Sequence, residues 1–338
     1  MINRVYRLMD TSRIDMVLRE VELDNKLVVS RPKYLSICAA DQRYFQGKRK
    51  RETMRRKLPM ALIHEATAVV LNDPTGRFSQ GAYVVPVPLI THGNTAAKPN
   101  YDEQSEFRSS GKDGFLCDFI TSSPDELIEI DDKETVIFVF SELVSVVCNA
   151  LEAFEQSCVT EKASFGVWGD GSMGYVVGVL LRCLYPQTRL YVFGKTMRKL
   201  HRFSFADDVF LIDDVPQTLR IGHAFECAGD VGSEVAVRQI INLILPQGCI
   251  ALLGVSEEEV SVNTRVVLEK GLRLIGNSRS STQDFRKAVG LISTNIFCRK
   301  HLETLVSEIV EIRCESDIKK FFEQDLLNDF KTVGKWLI

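Results

Sequence analysis

Apolar and polar positions change their rhythm once along the chain. Up to about residue 145 the apolar residues come in short runs cut by turn formers. Lys26-Leu27-Val28-Val29 runs on to Pro32, and Ala66-Thr67-Ala68-Val69-Val70-Leu71 stops at Asn72-Asp73-Pro74, a pattern that predicts β-rich structure. From about residue 163, apolar strands alternate with longer helical stretches, the signature of a parallel doubly wound sheet. Strands are predicted at Ser164 to Trp168, Leu190 to Phe193, Val209 to Ile212, His223 to Cys227, Ile250 to Leu253 and Arg273 to Ile275. Residues 175 to 184 are apolar nearly all round and stop before Pro186, as a helix packed on a sheet would. Further on, Ser280-Ser281-Thr282 caps a helix through Leu291, Asp317 to Leu327 forms a second, and Thr332 to Ile338 a last strand. The fold class is α/β, a β-rich domain joined to a doubly wound parallel sheet.

At 338 residues the chain exceeds one core, which agrees with two domains. Its 45% hydrophobic and 26% charged residues are ordinary for a globular protein, and a net charge of -3 gives no overall pull toward nucleic acid. The N-terminus lacks the apolar core of a signal peptide, and no run approaches the roughly 20 apolar residues of a membrane span, which predicts a cytoplasmic protein with no membrane contact. Nine scattered cysteines without a C-x-x-C pair argue against a disulfide framework.

Gly169-Asp170-Gly171-Ser172-Met173-Gly174 is a G-x-G-x-x-G turn. It follows the strand Phe165-Gly166-Val167-Trp168 and opens a helix. Gly169 makes the tight turn, Gly171 admits a pyrophosphate, and Gly174 lets the helix approach the strand, with Ser172 and Met173 at the helix start. About twenty residues past Gly174, where an acid would hold the ribose hydroxyls of NAD, the second strand ends in Gly194-Lys195-Thr196-Met197-Arg198-Lys199. The absence of a carboxylate favours NADPH, with Lys195 and Arg198 as contacts to its 2'-phosphate. Solvated charges at a helix start are the competing explanation.

Four residues upstream are metal-ligand types: Cys38, His64, Glu65 and Glu142. Thiolate, imidazole and carboxylate suit zinc, and three protein ligands with an exchangeable fourth position make a catalytic site. Taken singly, a buried cysteine is ordinary packing and a His-Glu pair is a surface accident. The glycine turn gives them weight, because a metal can polarise the carbonyl that a nicotinamide reduces.

In this order, Cys38, His64-Glu65, Glu142 and then the glycine turn, the chain resembles the zinc-dependent medium-chain dehydrogenase/reductases over essentially its whole length. Within that family, Ser36 to Tyr44, Phe107 to Phe115, Trp168 to Gly171 and Asn263 to Leu272 are similar to the branch that reduces D-ribulose 5-phosphate to D-ribitol 5-phosphate for CDP-ribitol, teichoic acid or capsule. The resemblance implies a GroES-like catalytic zinc domain over 1–147, a Rossmann NADP-binding domain over 148–280 and a return to the first domain over 281–338. It also implies one catalytic Zn2+ held by Cys38, His64 and Glu142, with Glu65 as a fourth or displaceable ligand. A homodimer through the edge of the second sheet and a ribitol-5-phosphate cytidylyltransferase as partner follow from it too. A phosphate on the substrate calls for cationic or amide donors, and Arg43, Arg108, Ser109 and Ser110 are the candidates; Arg108 could instead pair with Asp102 or Glu103.

Two departures stand out. Many family members have Ser or Thr two residues after the cysteine and a histidine further on, where this chain has Ala40 and Arg43. The stretch 86 to 116 has none of the four cysteines of a structural zinc lobe. Three rivals remain: an NAD-dependent polyol or alcohol dehydrogenase for an unphosphorylated substrate, a non-catalytic cofactor-binding scaffold, and a nucleic-acid module built on the basic run Lys48 to Lys57. Most such runs are solvated faces; the alternative, suggested by its place soon after Cys38, is a funnel for phosphorylated ligands.

Overall fold

The computed structural model describes residues 1–92, 98–131 and 136–338. The chain forms two compact units, Met1–Ser145 with Arg279–Ile338, and Val146–Ser278.

In the first unit, the strands Val28–Ser36 and Glu65–Asn72, both mostly buried, pair antiparallel. They form the middle of a sheet ordered Leu127–Ile130, Tyr83–Pro86, Glu65–Asn72, Val28–Ser36, Lys331–Trp336, Val306–Ile312, with Ile120–Ser122 also on Val28–Ser36. The end of the chain thus supplies an interior strand. Its neighbour Val306–Ile312 was not anticipated, because four of its seven residues are exposed and its apolar signal is weak. A smaller sheet holds Arg13–Glu20, Ile2–Asp10 and Met60–Ala61. The basic run forms a helix, Arg51–Lys57, with no buried residue, as a solvated face would.

The second unit is a six-stranded, all-parallel sheet in the order Asp208–Leu211, Arg189–Gly194, Ser164–Trp168, His223–Glu226, Cys249–Leu252, Arg273–Gly276. Numbered along the chain this is 3-2-1-4-5-6, the dinucleotide-binding order, whose ligand crevice lies beyond the carboxyl ends of strands 1 and 4. Both faces are covered, so the strand Ser164–Trp168 is buried at every residue and carries no alternation.

One expectation is corrected. Among the described residues the helical stretch Val136–Ser157 is long and apolar enough to cross a membrane, although most of it is buried in the protein. Glu142, Glu152 and Glu155 interrupt it, which hid it from a search for unbroken apolar runs. A core helix passes the same test of length and composition.

Candidate active site

Strand register assembles the metal-type residues. Ser36 pairs with Glu65 on one side and with Val333 on the other, so the residues just past the end of Val28–Ser36 meet the start of Glu65–Asn72 and of Lys331–Trp336. Cys38 follows as the N-cap of the short helix Ala39–Phe45. The ligand atoms of Cys38, His64 and Glu65 all lie within 4.8 Å of one another. His64 and Glu65 are buried, and Cys38 is half-buried.

Glu142 lies outside that 4.8 Å set but near enough to His64 and Glu65 for both to act on its charge. Sheet pairing delivers Glu65, whereas Glu142 comes from the first turn of the helix Ser141–Ser157. Its buried carboxyl is pushed up to about 7 by burial, with His64 opposing and Glu65 adding to the rise.

Two further groups, overlooked in the sequence, organise the site. Asp41, fully buried, accepts from Ile63 N–H at 3.1 Å and from the Ser109 hydroxyl, and its other oxygen stands 3.3 Å from His64 Nδ1 and 3.4 Å from Cys38 N. With Nδ1 turned to a carboxylate, Nε2 is the nitrogen left for a metal, the usual carboxylate–histidine–metal arrangement. Burial works against ionisation of Asp41, but His64, Ser109 and Ile63 together hold it below the ordinary carboxylate range. Ile63 and Ser109, the residues that donate to it, both have positive φ, at 72° and 62°. That conformation is costly for a β-branched residue and persists because Asp41 and the packed core fix it. Lys331 is the second group. Its Nζ donates to both Glu65 oxygens at 2.7 and 2.9 Å and to the Ile37 carbonyl at 2.7 Å. Burial alone would lower its ammonium, but Glu65 and Cys38 raise it above the usual value.

This donor set fits zinc. Thiol, imidazole and carboxylate converge at one buried point, the imidazole is oriented from behind, and Lys331 offsets only one of three neighbouring acids.

The structure corrects the phosphate candidates. Ser109 is buried with its hydroxyl on Asp41, and Arg108 donates to the Thr121 carbonyl at 2.8 Å while its guanidinium lies 5.6 Å over the Phe115 ring. Both side chains thus have protein partners, Arg108 through a main-chain carbonyl. Ser110 accepts from Lys57 Nζ at 2.7 Å, which brings the basic helix into play, and Arg43 is half-buried on Ala39–Phe45.

In the second unit the glycine turn bounds a cleft of about 330 Å3 at the carboxyl end of the sheet. Gly169, Gly171 and Lys195 line it. Gly169 has φ 133°, and a Cβ there would meet Cys227 O at 2.7 Å; a Cβ on Gly174 would meet Gly169 O at 2.0 Å. A Cβ on Gly171 would meet nothing within 4 Å, so the protein itself does not require glycine at that position. Open space there suits a pyrophosphate at the N-terminus of the helix Ser172–Leu184, whose first turn holds Ser172 and Met173. Arg198 is exposed and outside the lining.

The expected lack of a carboxylate at the second strand's end also needs correcting. Asp170, from the turn itself, accepts from Lys195 N at 2.9 Å and Thr196 N at 2.8 Å. Spacing along the second strand could not reveal an acid delivered from the first. The far wall, Ala228 to Gly232, is held by Glu226, a buried carboxylate that accepts from Ala228 N, Gly229 N, Ser233 Oγ and Gly254 N.

No family model matches the chain. Ribulose-5-phosphate reductase 2 of Staphylococcus aureus is 46% identical over 341 aligned residues, covering 100% of both chains. The chain belongs to the ribulose-5-phosphate reductase family. The crystal structure of S. aureus TarJ in complex with NADPH superposes with a TM-score of 0.89 at 43% identity, again over 100% of each chain. L-idonate 5-dehydrogenase of Escherichia coli shares the fold, with a TM-score of 0.86 at 15% identity over 99% of this chain and 98% of that one.

Proposed function

We propose that this chain reduces the C2 carbonyl of D-ribulose 5-phosphate with NADPH to give D-ribitol 5-phosphate. What carries the proposal is end-to-end identity of 46% to a ribulose-5-phosphate reductase in a chain that keeps a compact Cys38, His64, Glu65 donor set. When bound, zinc supplies a Lewis acid for the carbonyl and NADPH supplies the hydride.

The chain's own groups do the rest. Cys38, His64 and Glu65 would hold the metal, with Glu142 as the nearby carboxyl for a fourth position; Asp41 orients His64, and Lys331 steadies Glu65. Gly171 leaves room for the pyrophosphate. Lys195, the cation that lines the cleft beside the glycine turn, is the contact for the 2'-phosphate. Lys57 with Ser110, and Arg43, are the donors for the substrate phosphate. Ala40 has no hydroxyl to relay a proton, so the proton for the product's C2 oxygen would come from solvent or from a substrate hydroxyl. The product is a fit substrate for a cytidylyltransferase. Among the described residues the outer strand Arg273–Gly276 pairs on one side only, an edge for a homodimer that sedimentation would reveal as twice the 38.1 kDa chain mass.

The test is NADPH consumption with D-ribulose 5-phosphate by enzyme stripped of metal and resupplied with zinc, run beside ribulose and NADH. Zinc-restored turnover that needs both phosphates supports the proposal. Turnover only with ribulose or NADH would make the protein a polyol dehydrogenase.

A further inference from the structure

At the opposite end of the parallel sheet from the glycine turn, Cys158, His223 and Cys249 bring two sulfurs and an imidazole within 4.8 Å of one another. Cys158 follows the helix Ser141–Ser157, while His223 and Cys249 open two adjacent strands. Three soft donors invite a metal, but the imidazole rules it out. His223 Nδ1 accepts from Cys249 N at 3.2 Å, so the proton of the neutral ring sits on Nε2. That nitrogen faces Cys158 Sγ at 3.5 Å and the Glu161 carbonyl at 3.2 Å. A metal on Nε2 would move the proton to Nδ1, against the Cys249 N–H.

We propose instead that Cys158 and Cys249 form an oxidisable dithiol site, with His223 Nε2–H facing the Cys158 sulfur. Cys158 is half-buried and within reach of a small oxidant, whereas Cys249 has no exposure. Burial pushes the Cys249 thiol up to about 11, with Cys158 adding to the rise, so Cys158 reacts first. With peroxide as oxidant, the Cys158 thiolate forms an S–O bond as the O–O bond breaks and hydroxide leaves. The Cys249 sulfur then attacks, the S–S bond forms, the S–O bond breaks, and the departing oxygen takes the Cys249 proton as water. Two thiols lose two electrons and the peroxide gains them. The disulfide would tie the end of the helix Ser141–Ser157 to the start of Cys249–Leu252.

The experiment treats the zinc-loaded, full-length chain with peroxide in a C314S background, since Cys314 is exposed. The expected result is an intact mass lower by two hydrogens, a digest peptide joined through Cys158 and Cys249, reversal by dithiothreitol, and loss of the link in C158S and C249S. C158S replaces a half-exposed thiol and keeps the test usable if C249S does not fold. No joined peptide, a sulfinic acid confined to Cys158, or a Cys158-dependent bound zinc would each overturn the proposal.

Discussion

Asp41 touches no reactant in the proposed reaction, yet it sets the geometry of His64 and of the backbone that carries it. Its carboxylate meets Cys38 N, Ile63 N, the Ser109 hydroxyl and His64 Nδ1. Residues that orient a metal ligand in this way are worth about 10–100-fold in metal affinity. D41N keeps the shape but loses the charge that matches the imidazole, so zinc affinity should fall by about that factor in competition with a chelator. Unchanged affinity would mean that His64 is held by its packing against Phe107, whose ring centroid is 5.3 Å away. Pattern reading passed over Asp41 for a physical reason. An acid three residues after Cys38, near the start of a helix, looks like an ordinary capping residue, and it does cap; its second duty arises only from chain 22 and 68 residues away.

Elements were more legible than side-chain partnerships, because period and turn chemistry are local. All six strands of the parallel sheet lie within a residue or two of the positions read from apolar runs between turns. The glycine turn was legible for the same reason, and its glycines can now be assigned different duties. G174A places a methyl 2.0 Å from Gly169 O, so the turn must shift; a loss of about 1–3 kcal/mol of stability is expected in urea titration, with weaker NADPH binding. G171A meets no protein atom and should leave stability within about 0.5 kcal/mol of the parent. Its methyl would occupy pyrophosphate space, so NADPH affinity should drop at least about tenfold, or about 1.4 kcal/mol. If G171A binds NADPH normally, the pyrophosphate does not pass over this turn. Asp170 marks where locality ends, since its place at the second strand follows from sheet pairing that sequence spacing does not encode.

For the molecule as a whole, the ion pair between Glu65 and Lys331 joins residues 266 apart and ties the last strand to the metal-type site. No pattern along the chain announces it, since a lysine near a terminus reads as solvated until the strand Lys331–Trp336 is seen inside the sheet. Glu65 has no exposure and Lys331 only 6%, so removing the lysine leaves a buried carboxylate without its counter-charge. Breaking such a pair costs about 3–5 kcal/mol. K331M, which fills similar space, should lose about that much in urea unfolding of the chelated protein. E65Q with K331M should recover much of the loss, because no isolated charge remains. Zinc gives the comparison its force. If Glu65 ligates the metal, the cation replaces the missing ammonium and the K331M penalty shrinks in zinc-loaded protein; if Glu65 only faces Lys331, the penalty is the same with and without zinc, and the exchangeable carboxylate of the site is Glu142.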